Sequence, residues 1–339
     1  MSNRYRGRRG SPYVLAFVAL LLLPLSAFSR LSQSPERIHL VPHFTPGQVL
    51  RYSVEMILDT NSESTGPIVD PEGVKKIEES VNVTLRLDVL SVSSAPATLG
   101  QARIRATYEK ATATTSSDSY DPDTAAIADQ FKKLEGQSME FTLEPDGKIT
   151  DATGLKDATS DPSRAAVISQ WLSQLTLGAS LPQKGIAVGE KWSSDQPLEN
   201  MPLKGLAWRT NSSYLRNEPC PEIATGPPPS GQAESSAPSP DGCAVILTKS
   251  EIVSSGSDKD RTPDVFRQNG LRTSGQWTGS GEGLTSILLR TGMVVSVTQS
   301  SATQMDFTIM TDAAQNRMRY AGSTHSQSEI TLISQSAPR

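Results

Sequence analysis

The sequence predicts a mainly β, α+β fold: an antiparallel, curved sheet or open half-barrel with two helices packed on one face. Three observations predict it. Apolar and polar residues alternate through long stretches, the period of half-buried strands. Two other stretches switch to helical spacing. Turn signals fall between neighbouring strand stretches, as antiparallel hairpins require.

Taken in order, "VLRYSVEMILD" puts Leu50, Tyr52, Val54, Met56 and Leu58 on one face and Arg51, Ser53 and Glu55 on the other. "TNSESTGPIVDPEG" follows as a polar loop. "EESVNVTLRLDVLSV" repeats the pattern through Val81, Val83, Leu85, Leu87 and Val89, and "QARIRATYEKATATT" continues it more weakly through Ala102, Ile104, Ala106 and Tyr108. A helix is expected near 122–135. Asp121 can cap it, Pro122 suits its first position, Ile127, Phe131 and Leu134 recur at helical spacing, and Gly136 stops it.

"SMEFTLEPDGKITDATG" is a hairpin turning at Pro145-Asp146-Gly147. A second helix is expected near 162–177, opened by Asp161-Pro162 and closed by Gly178. Its stripe of Val167, Ile168, Trp171, Leu172 and Leu175 is one-sided, so it should lie on an apolar face of the sheet. Further strands are expected in "LAWRTNSSYL", "CAVILTKSEIV", "TSGQWTGSGEG", "QMDFTIM" and "SEITLIS". A second hairpin, "GLTSILLRTGMVVSVTQ", turns at Thr291-Gly292.

The chain organises as a leader, a tether and one β-rich domain. Residues 1–29 carry Arg4, Arg6, Arg8 and Arg9, then an uncharged apolar run, Tyr13–Phe28, then small Ala27 and Ser29 before Arg30. That is the grammar of a cleaved secretory signal. The run is shorter than the ~20 apolar residues of a spanning helix, so no stable membrane span is expected after its removal. The alternative is an N-terminal anchor in the inner membrane. Residues 30–45 read as a tether and 46–336 as the exported domain. Gly47 and Gly189 are 142 residues apart, Gly147 and Gly292 are 145 apart, and these near-equal offsets suggest related halves, 46–160 and 185–336.

Only two cysteines occur, Cys220 and Cys243. They bracket 22 residues that include six Pro, three Gly and four Ser. Export places them in an oxidising compartment, periplasmic or extracellular, so a structural disulfide closing a 219–243 loop is expected. No Cys-x-x-Cys pattern suggests a redox pair.

Without residues 1–29 the chain has 28 basic and 36 acidic residues, a net charge of −8. No basic cluster follows the leader, so nucleic acid is not an expected partner.

"LPQKGIAVGEKWSSDQPL", the "PGQVLRYSVEM" opening and the "FTLEPDGKITDATG" hairpin resemble an uncharacterised family of exported bacterial β-rich proteins. The residues that carry this are Pro182, Lys184, Val188, Gly189, Glu190 and Trp192. The resemblance implies no known activity and no catalytic residues. At fold level, strands followed by covering helices are also similar to half-barrels that carry lipids and lipoproteins.

Recognisable catalytic grammar is missing. His39, His43 and His325 make no ligand set, and Pro42 disfavours a helix through the first two. There is no Gly-x-Ser-x-Gly elbow and no Ser-x-x-Lys pair. "GSGEG" lacks the context of a phosphate loop and fits close packing or a bend. No catalytic, metal or cofactor residue is assigned, and no cofactor is expected. The expected function is a non-enzymatic binding or envelope-associated protein. An apolar ligand such as a lipid would face Ile168, Trp171, Leu172 and Leu175 on the second helix. Two alternatives are a hydrolase assembled from separate strands and a structural partner protein of the cell envelope.

Overall fold

The computed structural model describes residues 37–67, 74–95, 98–118, 122–154, 172, 181–182, 184–198, 201–221, 223–225, 242–255, 260–311 and 316–336. Their core is one open sheet, mainly β as its alternating sequence requires. A first meander contains β1 (Val49–Thr65), β2 (Lys75–Val92), β3 (Ala102–Ser117), β4 (Ser138–Leu143) and β5 (Ile149–Thr153). A second contains β6 (Lys191–Pro197), β7 (Leu206–Pro219), β9 (Gly242–Ser254), β10 (Leu271–Leu288), β11 (Val294–Thr311) and β12 (Arg317–Ser336). The sheet order is β5-β4-β3-β2-β1-β12-β11-β10-β9-β7-β6. All neighbours along it are antiparallel, and β5 and β6 are its edges. The short β8 (Ala224–Thr225) pairs in parallel with Ser334 and Gln335 of β12.

The junction of the meanders joins the chain's two distant ends. β1 and β12 pair from Val49↔Ser336 to Thr65↔Arg319. Alternation then fixes what each face carries. Tyr52, Val54, Leu85, Leu87, Ile104, Phe141, Ile330 and Leu332 are buried together in the largest apolar cluster. Burying each such side chain contributes roughly 1.5–3 kcal/mol. The Tyr52 hydroxyl donates to the Val294 carbonyl at 3.0 Å, so its polar end is satisfied inside the core. Burial pushes its ionisation above the ordinary tyrosine range.

Helix α1 (Pro122–Lys132) lies where the spacing predicts it. Ile127, Phe131 and the following Leu134 pack against the same cluster. The second expected helix, 162–177, lies outside the described residues except for Leu172, which is helical and buried. A short helix the periodicity does not signal, α2 (Asp264–Gln268), precedes β10. Five residues are too few to show a helical period.

One expectation is corrected. The polar stretch after Asp59 was expected to leave the sheet, yet β1 continues to Thr65. Its Asn61–Thr65 end pairs with β12 from Ser323 to Arg319, so backbone pairing extends the ribbon beyond the apolar core.

Both hairpins turn at their expected glycines, Gly147 at φ 81° and Gly292 at φ 64°. At Gly292 an added Cβ would also meet the Val41 carbonyl oxygen at 2.2 Å. The segment expected as a tether passes that close because it is held. Ile38 and Ile186 exchange backbone hydrogen bonds at 2.8 and 2.9 Å, Leu40 is buried, and the His43 amide donates to Thr291. The "GSGEG" glycines serve packing, as expected: a Cβ on Gly279 would lie 2.9 Å from Ile252 and 3.1 Å from Trp208.

Candidate functional site

The face of the sheet opposite the largest apolar cluster carries the polar half of each alternation on its central strands. On β1 this is Glu55, Ile57 and Asp59, and the register carries the face across five further strands. Glu55 stands opposite Asn82 on β2 and Glu329 on β12. Glu329 stands opposite Thr298 on β11, which stands opposite Leu284 on β10. One residue pair along, Gln327, Ser300, Glu282 and Lys249 continue the row to β9.

These rows line a groove. One part, about 450 Å³, is bounded by Glu55, Asn82, Thr298, Leu284 and Glu329. The adjoining part, about 540 Å³, is bounded by Asn211, Lys249, Glu251 and His325. The two share Glu282, Ser300 and Gln327. Lys249 reaches Glu282 at 3.0 Å, an exposed pair. Ile57 and Leu284 expose apolar surface in the same groove.

Its acids are unevenly compensated. Glu55 and Glu329 face one another directly across the β1–β12 junction. On the same face, beyond the groove, Asp59 and Glu78 do the same across β1–β2, two pleat repeats further along β1. Like charges directly opposite on a sheet are destabilising, by roughly 0.2–1 kcal/mol a pair. Two carboxylates elsewhere on the sheet have arginines. Arg105, and behind it Arg103, hold Glu140 below its ordinary range, and Arg319 does the same for Asp306.

The interior is different. Leu172 lines a space of about 10 Å³ with Phe44, Tyr52, Leu87, Phe141 and Met293, room for no more than about one water. Ile168, Trp171 and Leu175, the expected companions of Leu172, lie outside the described residues.

Cys220 and Cys243 form the expected disulfide, with Cα atoms 5.0 Å apart. Cys243 is fully buried beside Leu288 and Val295, with Ile223 packed against them. The loop's first residues are therefore anchored, and 226–241 lie outside the described residues.

The Gly189-Glu190-x-Trp192 motif builds a turn. Arg37 donates to both Glu190 oxygens, at 2.8 and 2.7 Å, and the Ala187 amide donates to Oε2 at 3.1 Å. Arg37 first, then that amide, hold the Glu190 carboxyl below its ordinary range.

Among the described residues no cluster of three His, Cys, Asp or Glu side chains is placed to hold a metal. No described helix is long and apolar enough to cross a membrane. Sequence reasoning missed the groove residues. Their signal was the polar side of each alternation, but only the register shows which of them meet.

A scan against protein-family models finds no match, and a search of curated proteins finds none. Among solved structures, the outer membrane protein OprG from Pseudomonas aeruginosa is similar at a TM-score of 0.18 and 7% identity, covering 86% of this chain and 97% of that one. A score that low carries no argument about fold or function, and it lends no support to the likeness to lipid-carrier half-barrels.

Proposed function

We propose that this chain is an exported, envelope-associated binding protein without catalysis of its own, and that its ligand is an extended basic peptide segment held in the polar groove. The signal-like residues 1–29 and the Cys220–Cys243 disulfide support export. The opposed Glu55 and Glu329 carry the ligand reading. A like-charge pair at the centre of a sheet costs stability, and a cation bridging it would recover that cost. Ile57 and Leu284 offer apolar contact to the stems of lysine or arginine side chains.

Calorimetric titration with a Lys/Arg-rich peptide and an acid-rich control tests the reading. The basic peptide is expected to bind, more weakly as salt rises, and Glu329→Gln is expected to weaken it. No binding, or equal binding of the acidic control, would overturn it. A co-purifying lipid in native mass spectra would return the ligand to the interior.

A further inference from the structure

Among the described residues the open sheet ends at β6, and the outward backbone of that strand is identifiable. Tyr214 donates its amide to the Glu190 carbonyl, and the Leu198 amide donates to Leu206. With β6 and β7 in continuous antiparallel register, Trp192, Ser194 and Gln196 therefore bond inward to β7. Lys191, Ser193 and Asp195 point their amides and carbonyls out of the sheet. All three are exposed, while Trp192 on the other face packs against an apolar cluster and anchors the strand.

We propose that β6 is a self-association edge, where two copies of this chain pair antiparallel about Ser193 and continue the sheet from one molecule into the next. In that register Ser193 faces its own symmetry mate, and Lys191 faces Asp195 of the second copy, twice. All three pairs have the same parity, so each makes the paired hydrogen bonds of an antiparallel ladder. Charges on an edge strand ordinarily repel unrelated strands. Here two opposite charges, spaced evenly about one serine, suit a reversed copy of the same strand. Asp195 already accepts two hydrogen bonds from Arg209, at 3.0 and 2.9 Å, so it is held on the face where the second lysine arrives. Pro197 has no amide to offer and ends the ladder. A two-fold axis closes the contact, so a dimer forms and not a fibre.

A seven-residue edge buries less than the ~1,200 Å² of a standard stable interface, so dimerisation should depend on concentration. Sedimentation velocity of the purified protein over a concentration series tests it. The expected result is a monomer–dimer equilibrium that Ser193→Pro weakens about tenfold or more. That substitution removes an outward amide and no bond to β7. Lys191→Asp and Asp195→Lys should each lose self-association, because each makes like charges meet. An equimolar mixture of the two should dimerise again, because every pair is then opposite. Thermal melting of each variant checks that it is folded. A monomer at all concentrations overturns the proposal, and so does a dimer that the folded variants leave unchanged.

Discussion

The turn that leads into β1 and the turn that leads into β6 share a hydrogen-bond pattern residue for residue. Gly47 donates to Val89 on the adjacent strand, and Gly189 donates to Tyr214. Val89 donates back to Gln48, and Tyr214 to Glu190. The Thr45 amide donates to the Gln48 side chain at 3.1 Å, and the Ala187 amide to the Glu190 side chain at 3.1 Å. Both glycines are left-handed, at φ 81° and 85°.

The difference lies in charge. Gln48 is buried, with only Met293 sulfur near its amide nitrogen at 3.6 Å. Glu190 is partly exposed and has Arg37. One turn therefore tolerates either acceptor, and its surroundings decide which: a neutral amide where no cation is at hand, a carboxylate where one is. The two turns open the stretches that the sequence offers as possible halves, 46–160 and 185–336. The next connections differ: Ser93 donates to Gln101 where β2 gives way to β3, while the Cys220–Cys243 disulfide closes the connection from β7 to β9.

The largest effect is expected of Gln48→Glu, which places a carboxylate where no cation compensates it. It should cost on the order of 3 kcal/mol at neutral pH, read by denaturant unfolding. The introduced carboxyl's affinity for protons rises on burial, so the loss should shrink as pH falls and the folded state takes up a proton. An unchanged stability would mean the two turns are electrostatically equivalent. Replacing both cysteines with serine should cost about 3 kcal/mol, and no corresponding loss is available at 93–101. A null result would show that the anchored start of the loop, through Ile223 and β8, suffices without the covalent link.

The smallest effect is the pH response of the second turn. Glu190 is depressed in the folded state, so its contribution is present above the ordinary carboxylate value of 4.5 and is lost as pH falls through its lower folded value. Arg37→Gln should flatten that acid-side decline in the melting temperature. A decline of the same steepness would assign it to the other depressed carboxylates, such as Glu140 and Asp306.

Much of the fold could be read from periodicity, because burial of one face imprints itself locally. Tyr52, Val54, Leu85 and Ile104 reveal their strands wherever the core is continuous. The long polar ends of β1 and β12 could not be read that way. Asn61–Thr65 is strand only because β12 lies beside it, and nothing within reach along the chain records that partner. The groove failed for the same reason. Glu55 and Glu329 lie 274 residues apart and meet only through the β1–β12 register. The glutamate of the second turn was legible as a motif, but its partner Arg37 lay in a segment that looked like a tether.

The account rests on the opposed acids being a site and not an accident of pairing. The most direct measurement takes the thermal midpoint and the basic-peptide affinity of Glu55→Gln together. A binding site assembled against its own stability predicts opposite changes: a modestly higher melting temperature and a weaker complex. A variant that melts lower, or binds as tightly as before, would contradict it.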